Sequence, residues 1–98
     1  MELTYDGITP VRVYVRRREQ RLEVTDAGGA VAAARVSTKN LALPDQIRFG
    51  QYSVNVSRKG VVSLPGTVSQ PREWLAKLQE LVAEGSLALY EALLETAD

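Results

Sequence analysis

The stretch Val11-Arg12-Val13-Tyr14-Val15-Arg16-Arg17-Arg18-Glu19-Gln20-Arg21-Leu22-Glu23-Val24-Thr25-Asp26 decides the fold. Val11, Val13 and Val15 alternate with Arg12, Tyr14 and Arg16, and Leu22 and Val24 alternate with Glu23 and Thr25. A period of two is the signature of a strand with one buried face. With Glu19 and Gln20 at the tip, Val15 faces Val24 and Arg16 faces Glu23. A slip by one residue would set Val15 against Glu23 and mix the faces, so the pattern selects the first register. Arg17 then shares the apolar face with Leu22, at the hairpin end where its long stem reaches water.

Asp26-Ala27-Gly28-Gly29 reads as a chain reversal, because glycine adopts positive φ freely and an Asp side chain can hold a nearby backbone N–H. Ala30 to Val36 follows. Its alanines favour a short helix, while Val31 and Val36 would also suit a strand. Residues 37–44 are polar and then proline-containing, the composition of a loop or irregular edge.

A second hairpin is expected from Ile47 to Leu64. Ile47 and Phe49 alternate in one phase, Tyr52, Val54 and Val56 in the other, and Gly50 at the phase change marks a bulge or tight bend. A three-residue tip, Arg58-Lys59-Gly60, would set Val56 opposite Val62 and Val54 opposite Leu64. Pro65-Gly66 is expected to stop the strand. Gln70-Pro71 then opens a helical region, with Ser69 or Gln70 as cap. Trp74, Leu75, Leu78, Leu81 and Val82 recur at helical spacing and would cover the sheet. Beyond them Gly85-Ser86 either bends one long helix or separates two.

The expected fold is therefore α+β. An antiparallel sheet of two β-hairpins, about four to five strands, packs against a C-terminal helix or helix pair. The 98 residues suit a single domain over 1–98, and the apolar fraction of 45% and charged fraction of 24% are those of a globular chain. Formal net charge is +0, but it is unevenly spread. Residues 1–60 hold ten Lys/Arg against six Asp/Glu, and residues 61–98 hold two against six. A basic, mainly β segment (1–66) is joined to an acidic helical one (69–97).

The absence of Cys removes disulfides and thiolate chemistry and favours a reducing, cytoplasmic setting. Glu2 and Asp6 near Met1, with only short apolar runs, predict neither a signal peptide nor a membrane span. The absence of His removes the commonest general base and neutral metal ligand. Glu23 and Asp26 stand at odd spacing, on opposite faces of a strand, and so form no acid/base pair. Gly28-Gly29 lacks the rest of any phosphate-binding fingerprint, and Asp6, Asp26 and Asp45 are too scattered for a calcium loop. No catalytic, cofactor or metal residue, no small-molecule substrate and no enzymatic activity is expected.

Two surfaces stand out. Arg12, Tyr14, Arg16 and Arg18 alternate along one face of one strand, with Arg21 near the hairpin tip. Cations interleaved with an aromatic can contact phosphates and stack on a base. The plainer account is a solvated strand whose charges discourage edge aggregation and are partly neutralised by Glu23. Arg58 and Lys59 would enlarge the patch if they approached it. In the helical region, Leu87, Leu89, Tyr90, Leu93 and Leu94 spread wider than one narrow face, so Leu87, Tyr90 and Leu94 are candidates for an interface with a protein partner or a second copy. The first expectation is a non-catalytic protein-interaction module, with self-association as one form of it, weak nucleic-acid binding through the arginine strand as the alternative, and an enzyme of unknown type as the third reading.

The run Val11 to Arg18, followed by Leu22-Glu23-Val24-Thr25-Asp26-Ala27-Gly28-Gly29, resembles the opening hairpin of an uncharacterised family of small bacterial domains found in phage and mobile-element settings. There too a strand pair ends in a Thr-Asp-x-Gly-like turn. The resemblance covers about the first third of the chain. It implies no activity, and Ala27 stands where that family often has a second acidic residue.

Overall fold

The computed structural model describes residues 3–37 and 42–96. Within them lie β1 (Tyr14–Arg18), β2 (Arg21–Thr25), α1 (Gly29–Ala34), β3 (Gln46–Phe49), β4 (Tyr52–Val56), β5 (Val62–Thr67) and α2 (Arg72–Thr96). The strands form one antiparallel sheet in the order β1-β2-β5-β4-β3. Helix α2, about 37 Å long at 1.5 Å per residue, packs on the sheet and on α1. This is an α+β fold. Part of the loop expected over 37–44 lies outside the described residues.

The first hairpin has the register that its alternation demands, with Val15 opposite Val24 and Arg16 opposite Glu23. It is shorter than expected, because β1 begins at Tyr14 and not at Val11. The preceding residues turn back on themselves: Val11 N–H donates to the Leu3 carbonyl and Tyr5 N–H to that of Thr9. That local pairing takes up the backbone groups that a longer β1 would have used.

The alanine-rich stretch is helix α1. At the β3–β4 turn only Gly50 has positive φ, 59°, as the first central position of a tight type II′ turn requires. The hairpin mirror then puts Ile47 opposite Val54 and Phe49 opposite Tyr52, all on one face. Val56 lies opposite Val62, and Gly60 has φ 80° in the intervening loop.

Strand β5 runs through Pro65-Gly66 to Thr67 instead of stopping there. Asp26 N–H donates to the Val62 carbonyl and Val68 N–H to that of Gln20, so the even-numbered residues of β5 bond towards β2. Pro65 is therefore at a position whose N–H would point away from β2. Beyond Ser63 no pairing with β4 continues, and the missing donor costs no ladder bond.

Helix α2 passes through Gly85-Ser86 without a break. A Cβ on Gly85 would lie 2.5 Å from Val54 Cγ2 and 3.3 Å from Val62 Cγ1. This glycine lets helix and sheet backbones approach, and is no hinge. Pro71, not Ser69 or Gln70, supplies the first helical acceptor, since Leu75 N–H donates to its carbonyl, while the Gln70 side chain accepts from Thr67 N–H. The core unites Val24, Val54, Val56 and Val62 with Leu78, Leu81, Val82, Leu89 and Leu93. Trp74 sits at its margin, 37% exposed, tilted against Tyr52 at 6.4 Å between centroids. Among the described residues no helix is long and apolar enough to cross a membrane.

Candidate functional site

With α2 covering one face, strand alternation assigns Arg16, Arg18, Arg21, Glu23 and Asn55 to the other. Arg16 is opposite Glu23, Arg18 is opposite Arg21, and Asn55 is opposite Ser63. Arg16, Arg18, Arg21, Glu23, Asn55 and Ser63 line one shallow groove of about 480 Å³ across the open face. Every side chain of β1 is exposed. Among the described residues no hydrogen bond or ion pair engages the guanidiniums of Arg16, Arg18 and Arg21. Arg17, on the helix-side face, donates from Nε to the Glu19 carbonyl and takes no part.

The structure divides the row of cations expected from the sequence. Arg12 precedes β1, and with Tyr14 it lines a second cleft of about 530 Å³. This cleft runs between the loop Tyr5–Pro10, the turn Asp26–Gly29 and helix α1, whose C-cap residue Arg35 also borders it. Arg58 and Lys59 line neither concavity.

Beneath the second cleft is a polar chain that spans most of the sequence. Ser86 Oγ donates to Asp26 Oδ2 at 2.6 Å and lies 2.6 Å from the Tyr5 hydroxyl. A serine has one proton to give, so Tyr5 donates to Ser86. Asp26 Oδ1 accepts from Gly28 N–H at 2.9 Å and Val62 N–H at 3.0 Å. Asp26 is 2% exposed and Ser86 0%. Burial pushes the Tyr5 phenol above its ordinary pKa, and the Asp26 charge adds to the effect. Gly29 makes room for this ring, since a Cβ there would lie 2.8 Å from the Tyr5 hydroxyl. Tyr5 also meets Tyr90, with centroids 5.2 Å apart.

A Ser hydroxyl between a carboxylate and a phenol invites comparison with a nucleophile, but no substrate can reach an atom with no exposed surface. The chain fastens the N-terminal loop, the β2–α1 turn, β5 and α2 at one point. Among the described residues, no buried side-chain polar atom lacks a partner and no cluster of His, Cys, Asp or Glu could hold a metal ion. Sequence reasoning placed Asp26 in its turn but missed Tyr5 and Ser86. A small polar residue within the stripe Leu78, Val82, Leu89, Leu93 is the one signal that could have singled out Ser86.

Of the apolar residues Leu87, Tyr90 and Leu94, expected to form an interface on α2, Tyr90 is turned into the core. Tyr90 is 8% exposed and packs on Tyr5, and Leu87 lies against the core. Of that trio Leu94 is 44% exposed and Leu87 half-buried. Comparison with family models, curated proteins and solved structures gives no match in any of the three.

Proposed function

We propose that this chain is a non-catalytic binding module whose open sheet face holds the phosphate backbone of a single-stranded nucleic acid. The observation that carries this reading is the opposed pair Arg18 and Arg21, with Arg16 beside them, in a groove where no carboxylate binds their guanidiniums. Like charges directly across a strand pair cost stability. An anion laid between them would turn that repulsion into charge-assisted hydrogen bonding. The face is shallow, as suits a flexible strand, and Tyr14, 46% exposed, offers one ring for stacking. A protein partner docking through α2 has less behind it, because Tyr90 is buried against Tyr5 and Leu87 is half-buried.

Fluorescence anisotropy with labelled single-stranded oligonucleotides across a salt series tests the proposal. Three phosphate contacts predict a log–log salt slope of about −2. Changing Arg16, Arg18 and Arg21 together to Gln should flatten the slope and abolish binding at physiological salt. Salt-independent affinity, or affinity unchanged in the triple variant, would overturn it. Binding of a poly-glutamate peptide in place of oligonucleotide would replace it with an acidic protein partner.

A further inference from the structure

We infer that the second cleft is a phosphate-monoester site, flanked by Arg12 and Arg35 and placed where the arginine row of the open face begins. The inference rests on the nucleic-acid reading for the source of its ligand, but the cleft's own chemistry is independent of the sheet groove. Among the described residues, four charged side chains border the cleft: Arg12, Arg35, Asp6 and Asp26. Both carboxylates accept hydrogen bonds from within the chain and keep their charge. Asp6 Oδ1 accepts from Ile8 N–H at 2.9 Å and Thr9 N–H at 2.6 Å, and Oδ2 accepts from the Thr9 hydroxyl at 3.1 Å. Those bonds hold the Asp6 pKa below its usual range. Asp26 is committed to Gly28, Val62 and Ser86.

The two arginines are not so committed. Among the described residues neither guanidinium has a hydrogen bond or ion pair. A ligand entering the cleft meets two guanidiniums with unused donors beside two carboxylates that already accept from the chain, so directional bonding to the forks, and not net charge, would hold an oxyanion there. Guanidinium forks match the tetrahedral oxygens of a phosphate, and two of them favour a dianion over a monoanion.

Arg35 is held at the cleft by the end of α1. It closes α1 in the left-handed region, with φ 56°, where a side chain other than Gly or Asn costs stability. Glycine would serve the cap better. Ala27 lines the same cleft at φ 53°, so the backbone conformation fixes where the Arg35 side chain starts and does not by itself assign it a role.

A phosphate monoester could reach the cleft as the 5′ end of a strand lying on the arginine face or as a free mononucleotide. Titration calorimetry of the full chain separates the two, using one oligonucleotide with and without a 5′-phosphate, and then adenosine monophosphate and inorganic phosphate. The 5′-phosphate is expected to tighten binding roughly tenfold. Arg35→Gly, which relieves the backbone while removing the guanidinium, should erase that increment, as should Arg12→Gln. Affinity for the unphosphorylated strand should stay unchanged. Arg58→Gln, outside both concavities, should change nothing. Mononucleotide binding as tight as the phosphorylated strand's, and lost in Arg35→Gly, keeps the site and assigns it a free ligand. Equal affinity for the two oligonucleotides with no mononucleotide bound, or an increment that survives in both arginine variants, overturns the inference. In the first of those cases the sheet-face proposal stands. Phosphate uptake without any oligonucleotide binding would sink the sheet-face proposal and leave the cleft.

Discussion

Two polar regions flank the same strand pair and obey opposite rules. At one end Asp26, Ser86 and Tyr5 are buried, and every acceptor and donor among them has a partner within 3.0 Å. At the other, Arg16, Arg18 and Arg21 are exposed, two of them directly opposite each other, with unspent donors. Buried polarity persists only where it is satisfied, and its account is complete within the fold. The arginines find no such account there. Arg18 and Arg21 repel each other across the strand pair, and on the reading proposed above a bound anion would offset that cost.

The contrast is broken most forcefully by Asp26→Ala. It strands the buried Val62 N–H and the Ser86 hydroxyl and leaves the half-buried Gly28 N–H to the cleft, at about 1–3 kcal/mol for each unpaired buried donor after partial relaxation. A loss of roughly 3–5 kcal/mol is expected, a large share of the ~5–15 kcal/mol available to a domain. Urea denaturation measures it as a lower midpoint. The triple Gln variant of the sheet face should stay within about 1 kcal/mol of the parent in the same experiment. If Asp26→Ala cost under 1 kcal/mol, the network would not be the fastening described.

Gly85→Ala asks whether apolar closeness or polar bonding holds α2 at this point. The new Cβ would collide with Val54 Cγ2 at 2.5 Å, in a β-branched side chain that is fully buried and cannot swing away. Overpacking of this kind costs about 1–3 kcal/mol, although alanine by itself favours a helix by about 1 kcal/mol over glycine. A net destabilisation should be seen in thermal unfolding. A rise in Tm would mean that helix and sheet are free to separate there.

Much of the architecture was legible because it rests on local alternation. The register of β1 with β2 follows from keeping Val15 beside Val24, and the Val56–Val62 pairing follows from the position of Gly60. What escaped depends on distant partners. Pro65-Gly66 reads as a stop until the neighbour on each side of β5 is known. Gly85-Ser86 reads as a break until Val54 and Asp26 are found against it, 31 and 60 residues away. The same limit applies to the candidate surfaces. Arg16, Arg18 and Arg21 were visible by their period of two, whereas Arg35 joined Arg12 at the cleft only through the turn that folds α1 back. Tyr90 was misread because its partner, Tyr5, lies in a loop with no periodic signal.

The finest test of the comparison is Tyr5→Phe. It keeps the ring against Tyr90 and removes one hydroxyl, while Ser86 retains its bond to Asp26, so the cost should be about 1 kcal/mol at neutral pH. The sign of its pH dependence follows from the raised phenol pKa. The folded chain holds this proton more tightly than the unfolded one, whose Tyr titrates near 10. The stabilisation is therefore full below pH ~10 and falls as pH rises through the folded value. Phenylalanine has no proton to lose. The gap between parent and variant should be constant from pH 7 to about 9 and narrow above pH ~10, because only the parent must then ionise a phenol beside the Asp26 carboxylate. Urea midpoints at stepped pH read this directly. A gap that widened with pH would mean that Tyr5 accepts from Ser86, which would leave Asp26 without its third donor and reverse the order of the chain.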